Sequence, residues 1–275
     1  MRAVMRKPVW HFPKTINEAL VYLQQEKAHI HAGGTGIKPE MLRKWQTVID
    51  ISQLSLNQII ENADEITLGA NLTFKTVVDY FKDKHPGHIL YQALVRSSSA
   101  SLRNRITLGG SIASFHTWSD LPGPLLALDA ELTLEGKARQ QIKLSEYFGD
   151  SDLHRNSLIT SIHFPKREWI GYFHRQVRVQ FDYPVFSLAI TADIVDSVYK
   201  DCRIFVVGTY GKFTRMTKLE NYLKQKNVTE TKRDEMIRLM DFEFRDKPFC
   251  SGDYLKKLAS EQLINAINNI NGNNV

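Results

Sequence analysis

Between Arg96 and Ser119 the sequence reads RSSSASLRNRITLGGSIASFHTWS, and no other stretch limits the possible folds as strongly. It is rich in small hydroxyl residues, holds a glycine pair at Gly109 and Gly110, and has few long apolar side chains. Such a segment cannot build a core from its own side chains, so it is expected to run over a surface or to line a ligand. A related stretch stands earlier, in HAGGTGIKPEM at residues 31 to 41. There a short strand-like run enters Gly33 and Gly34, Gly36 follows two residues on, and a helical stretch is expected through Lys38 to Arg43. Glycine lets the backbone approach a neighbour closely or adopt dihedrals that a Cβ would forbid. Each pair is therefore either a tight turn or a cradle for an anion, exposing a row of backbone N–H groups, with Thr35 and Ser111 as added hydroxyl donors. Two cradles suit a ligand with two linked phosphates and arms reaching both ways, which describes a dinucleotide. The spacing matches neither GxGxxG nor GxxxxGK[ST], so neither a Rossmann nor a P-loop reading is supported.

Around these stretches the chain alternates between strand-like and helix-like text. Residues 15 to 27 read as an amphipathic helix, because Thr15 and Glu18 have capping-box spacing and Ile16, Ala19, Leu20 and Leu23 recur at helical period. Ala28 to Ala32, TVIDIS at 47 to 52 and ITLGAN at 66 to 71 read as strands. A further helix is expected after Thr73, with Phe74, Val77, Val78 and Phe81 on one face. LLALDAELTLEG at 125 to 136 reads as a helix end running into a strand, and a boundary is expected near Pro165. Beyond it, VFSLAITADIVDSV and CRIFVVGTY read as adjacent antiparallel strands, followed by helices near 214 to 225, 230 to 240 and 251 to 268. The closing NNINGNNV is expected to fray.

Composition narrows the function classes. The 275 residues are 43% hydrophobic and 24% charged, enough for one large domain or two modest ones. The formal charge of +6 is spread along the chain with acidic residues interleaved, which speaks against a nucleic-acid partner and reads as solubility, or as attraction for a phosphorylated cofactor or an acidic partner surface. Cys202 and Cys250 have no neighbours at metal-ligand spacing, so no zinc site or iron–sulfur cluster is expected within the chain. No run of about eighteen apolar residues occurs, so no membrane insertion is expected and the protein reads as cytoplasmic. No Ser/His/Asp grouping, paired carboxylates or two-metal spacing marks it as a hydrolase.

Taken in order, HAGGTGIKPEMLRKWQTVIDIS, ITLGANLTFKTVVDY and LRNRITLGGSIASFHTWSDLPGPLLALDAEL resemble the FAD-binding medium subunit of the molybdenum hydroxylases, the family of xanthine dehydrogenase and carbon monoxide dehydrogenase flavoprotein subunits. The likeness extends to SGDYLKKLASEQLINAI and covers nearly the whole chain. It implies an α+β fold: a two-subdomain, PCMH-like FAD-binding domain at residues 1 to 164, with subdomains about 1 to 54 and 55 to 164, then an α+β domain of antiparallel sheet and helices at 165 to 275. It implies that Ala32, Gly33, Gly34, Thr35, Gly36 and Ile37 lie along the FAD pyrophosphate. Thr107, Leu108, Gly109, Gly110 and Ser111 would contact phosphate, ribityl chain and one flavin face. Asp120 would reach polar groups of the cofactor, and Arg175 would stand near the isoalloxazine in a place usually given to lysine, with His174 competing for it.

The sequence departs from the family pattern at Gly36, Ile106 and Ser111, and FHTW at 115 to 118 replaces a small-residue run. His116 reads as a packing or hydrogen-bonding residue, Trp118 as a buried or interface tryptophan rather than one stacked near the flavin ring, Asp50 as a structural hydrogen-bonding residue at a strand end, and Tyr172, Phe173 and Phe181 as ordinary core. Asp120 has a second reading as a helix cap ahead of LPGPLLAL. Arg103 and Asn104 either touch the cofactor or position the loop. The resemblance implies an electron relay in which a molybdopterin-binding subunit and an iron–sulfur subunit, both separate chains, feed this FAD, which passes electrons to NAD or another acceptor. A stand-alone flavin oxidoreductase and a scaffold that has lost its cofactor are the alternatives.

Overall fold

The structure is a computed structural model that describes residues 7–180 and 182–272. The chain divides into two compact units. One comprises the chain up to Thr76, Ser99–Phe115 and Asp129–Lys166, and the other Val77–Ser98, His116–Leu128 and the chain from Arg167 onward.

In the first unit β1 (Val9–His11), β2 (Ala28–His31) and β3 (Thr47–Asp50) form a parallel sheet in the order β1-β3-β2. The helix Ile16–Leu23 connects β1 to β2, and its residue Ala19 packs with Ile49, Ile51 and Leu54. Thr15 caps it by accepting from Glu18 N–H at 3.2 Å, while the Glu18 carboxylate takes Lys14 N–H at 2.8 Å. The expected capping box is thus displaced by one residue on its return arm. A second sheet contains β4 (Ile59–Glu61), β5 (Glu65–Gly69), β6 (Glu131–Glu135), β7 (Gln140–Lys143) and β8 (Leu158–Pro165), antiparallel throughout in the order β4-β5-β8-β6-β7. The stretch between Ser99 and Ser114 folds into two short helical turns, Ala100–Arg103 and Leu108–Ala113.

The second unit is built on β9 (Ile170–Gln176), β10 (Phe186–Val195), β11 (Val198–Thr209) and β12 (Lys212–Arg215), in the order β12-β11-β10-β9 and antiparallel at every step. Side chains alternate between the two faces of a strand. Phe186, Leu188, Ile190, Ile204 and Val206 pack in one cluster with Leu255, Ala259, Leu263 and Ile267 of the helix Gly252–Gly272. On the other face, Thr191 Oγ1 donates to the Ala127 carbonyl at 2.8 Å, and a Cβ on Gly123 would lie 3.0 Å from Val207 Cγ2. Ile89 packs on β9 so closely that a Cβ on Gly171 would come within 2.9 Å of it.

These contacts differ from a single division of the chain at residue 164. A sheet as apolar as β10 and β11 has to be covered on both faces. The second cover comes from Ile89–Leu94 and Pro122–Ala127, which are drawn from the first half of the sequence. The helix expected from residue 214 starts instead at Thr217, because Lys212–Arg215 turn back as a hairpin strand on β11. The last helix continues to Gly272, so most of NNINGNNV is helical, and its final three residues lie outside the described ones, as does Phe181. Among the described residues no helix is long and apolar enough to cross a membrane.

Candidate functional site

The first glycine stretch leaves the end of β2, where the parallel register sets His31 opposite Asp50. Asp50 accepts at both carboxylate oxygens: Ser52 N–H reaches Oδ1 at 2.9 Å, and His31 Nδ1 lies 2.9 Å from Oδ2. The expected structural role of Asp50 is therefore what the geometry shows, with His31 as a partner that sequence reasoning missed. The edge of the His31 ring meets Trp10 at 5.0 Å between centroids. Beyond Ala32 the backbone bends, Gly34 takes a φ of 71°, and Ile37 N–H returns to the Gly34 carbonyl at 3.3 Å before the one-turn helix Pro39–Leu42. Among the described residues, no protein acceptor is recorded for the N–H groups of Gly33, Gly34, Thr35 and Gly36. Successive amides around a residue of left-handed conformation form an anion-binding concavity.

The second glycine stretch lies in the same unit and touches the first. A Cβ on Gly33 would fall 1.6 Å from the Arg105 carbonyl oxygen, so the two backbones meet there directly. A Cβ on Gly34 would be 2.8 Å from His31 Nε2 and 3.5 Å from Arg105 Nη2. Gly36 differs, since its Cβ would meet only Ser114 Oγ, at 3.6 Å, an ordinary contact. Glycine at 33 and 34 is thus required by the fold itself, whereas position 36 has room for a side chain.

The expectation that both stretches expose unbonded amides needs correction at the second. Leu108 N–H donates to the Leu72 carbonyl and Gly109 N–H to the Ala70 carbonyl, at 2.9 and 2.8 Å, and Ser111 N–H donates to the Thr107 carbonyl at 3.0 Å. Gly110 N–H bonds the Thr107 hydroxyl that caps Leu108–Ala113, at 3.2 Å. Gly109 is small because a Cβ would come 2.9 Å from Ala70 Cβ. Close packing and a helix cap therefore account for this glycine pair. Next to Ala70, the half-buried Asn71 donates through Nδ2 to the Ile51 carbonyl at 2.8 Å, and its buried Oδ1 has no partner. Buried acceptors of that kind are uncommon.

Asp120 and Arg175 belong to the second unit, where they hold each other. Arg175 Nε lies 3.1 Å from Asp120 Oδ2, and its terminal nitrogens donate to the carbonyls of Gln180 and Asp182 at 3.3 and 3.2 Å. Burial pushes the Asp120 carboxyl up to about 7, against the pull of the guanidinium. Asp120 does not cap the helix Pro122–Ala127, whose start has no side-chain cap. His174 Nε2 turns to Gln176 Oε1 at 3.2 Å. His116 stacks on Trp118 at 4.3 Å, and Trp118 in turn packs on Tyr183 while remaining 39% exposed, so of the two expectations for this tryptophan the buried one is not met. Tyr172 and Phe173 sit half-buried on β9. Among the described residues no group of His, Cys, Asp and Glu is placed to hold a metal ion.

Residues 3–167 match the family model described as the FAD binding domain in molybdopterin dehydrogenase. The chain is 28% identical over 220 residues to the nicotine 6-hydroxylase medium subunit of Paenarthrobacter nicotinovorans, covering 77% of this chain and 78% of that one. It is 32% identical over 155 residues to the nicotinate dehydrogenase FAD-subunit of Eubacterium barkeri, about half of each chain at 53% and 52%. Its fold superposes on the crystal structure of quinoline 2-oxidoreductase from Pseudomonas putida 86 with a TM-score of 0.88 over 99% of both chains, at 19% identity.

Proposed function

We propose a function from one premise: this chain belongs to the family of the FAD binding domain in molybdopterin dehydrogenase, and it is an FAD-binding medium subunit of the molybdenum hydroxylase type, part of an FAD-dependent oxidoreductase. Within such an enzyme it receives electrons from an iron–sulfur chain that is fed by a molybdopterin-binding chain, and delivers them to an acceptor, NAD being the first to test. The relative's description as a medium subunit supports the requirement for other chains. When bound, flavin supplies the ability to take up electrons singly and release them in pairs.

The observation that carries this reading is the row of amides from Gly33 to Gly36 without a protein acceptor, set directly against the stretch from Arg105 to Ser114. The residues fit the cofactor. The amides suit a diphosphate, and the unpartnered Asn71 Oδ1 suits a hydroxyl or amino group. Ala32 to Ile37 are proposed to line the diphosphate through their backbone. Thr107 to Ser111 are proposed to contribute surface, since the amides of Leu108 to Ser111 are already bonded. The roles of Asp120 and Arg175 toward the cofactor rest on the resemblance alone.

The test is titration of the purified chain with FAD, followed by quenching of flavin fluorescence, and co-purification with neighbouring chains from the native host with metal and flavin analysis. Saturable FAD binding together with co-purifying iron and molybdenum is the expected result. Failure to bind FAD both alone and in the co-purified assembly would overturn the reading. Acceptor reduction by the isolated chain would instead mark a stand-alone oxidoreductase.

A further inference from the structure

We propose that Arg105 is the cationic side-chain contact to the cofactor's diphosphate. This deepens the FAD reading above and rests on it. Arg105 stands inside LRNRITLGG, where the sequence gives no hint that it differs from Arg103 two residues earlier. The geometry separates it. Its main chain is locked to the glycine loop, because its carbonyl oxygen lies where a Cβ of residue 33 would have to be, and its own N–H is held by the Leu102 carbonyl at 2.9 Å. Its side chain then folds back along the same loop, bringing Nη2 within 3.5 Å of the space that the missing Cβ of Gly34 leaves free. Backbone and guanidinium thus approach adjacent glycines independently.

Charge completes the argument. Among the described residues the Arg105 guanidinium has no recorded hydrogen bond or ion pair. The carboxylate at the end of β3 does not neutralise it, because Asp50 is engaged by Ser52 N–H and by the His31 ring, whose other nitrogen borders the same Gly34 space. An exposed arginine is most often simply solvated. Here a positive fork stands beside the amides of Gly33 to Gly36, and both attract the same sign of ligand. A guanidinium matches the geometry of phosphate oxygens with two parallel N–H bonds.

The experiment uses Arg105→Gln and Arg105→Lys in the full chain, with FAD, ADP and riboflavin as probes at two salt concentrations. ADP carries the diphosphate without the flavin, and riboflavin the flavin without the diphosphate. Arg105→Gln is expected to weaken FAD and ADP by about tenfold or more, to leave riboflavin unchanged, and to reduce the salt dependence of FAD binding; Arg105→Lys should fall between. Because the side chain is exposed, thermal melting should stay that of the parent chain. Equal FAD and ADP affinities in parent and Arg105→Gln overturn the proposal while leaving the FAD reading intact. Equal loss for ADP and riboflavin overturns it too, since that reports altered shape rather than a lost charge. A parent chain that binds none of the three, either alone or in the co-purified assembly, overturns the FAD reading itself.

Discussion

Replacing Gly33 by alanine tests whether the two glycine stretches are joined as the structure shows. The new methyl would lie 1.6 Å from the Arg105 carbonyl oxygen and 2.7 Å from its carbon, whereas real contacts of this kind do not fall below 3.0 Å. The two backbones would have to part by about 1.4 Å, the difference between 3.0 and 1.6 Å. Neither side can yield through a rotamer, since the clash is with main chain. Overpacking a well-packed site costs about 1 to 3 kcal/mol, and a backbone clash belongs at the upper end. At about 1.4 kcal/mol per tenfold, a full 3 kcal/mol corresponds to roughly a hundredfold. Gly36 is the internal control. Its Cβ would meet nothing nearer than 3.6 Å and its φ is not positive, so Gly36→Ala is expected to leave stability unchanged or raise it by about 0.4 to 1 kcal/mol. Thermal melting and FAD titration of both variants decide the matter. Gly33→Ala should melt well below the parent, with a folding constant up to about a hundredfold lower, and bind FAD more weakly if it folds, with Gly36→Ala close to the parent in both. A Gly33→Ala protein equal to Gly36→Ala in stability would refute the direct meeting of the loops, and with it the site.

The buried Asp120 makes stability depend on pH. Its folded value near 7 stands above the usual 3.8, so the folded state holds the proton more tightly than the unfolded one; the contribution is full below about 3.8, declines as pH rises towards 7, and is flat above. Urea unfolding across that range should show this component in the parent and lose it in Asp120→Asn. Burial also pushes the Cys202 thiol up to about 12, while Cys250 is half-exposed. Native-state alkylation followed by mass spectrometry should therefore modify Cys250 first, and rapid modification of Cys202 in the folded chain would contradict the packing of β11.

Local features were legible where the residue itself carries the cause. Thr15 and Thr73 cap the helices that follow them, as hydroxyls before an apolar helical period should. The alternation in VFSLAITADIVDSV and CRIFVVGTY places β10 against β11 in antiparallel register. The two glycine runs mark close approaches, as glycine does when a side chain would not fit. Those inferences need only dihedral preference and the period of apolar residues, both of which are written into a few consecutive positions.

Tertiary structure decided who meets whom. That Gly33 must be small because of the Arg105 carbonyl depends on a chain return no local pattern encodes. The amides of Leu108 to Ser111 are satisfied by the carbonyls of Leu72, Ala70 and Thr107 and by the Thr107 hydroxyl, whereas those of Gly33 to Gly36 keep no protein acceptor among the described residues. Arg105 and Arg103 look alike in the sequence until one of them is seen beside Gly34. Residues 77–98 and 116–128 join the C-terminal sheet because its second face needs cover. A hydrogen-bonding group or an apolar face states a requirement locally, but many distant segments can meet it, and only the packed chain selects one.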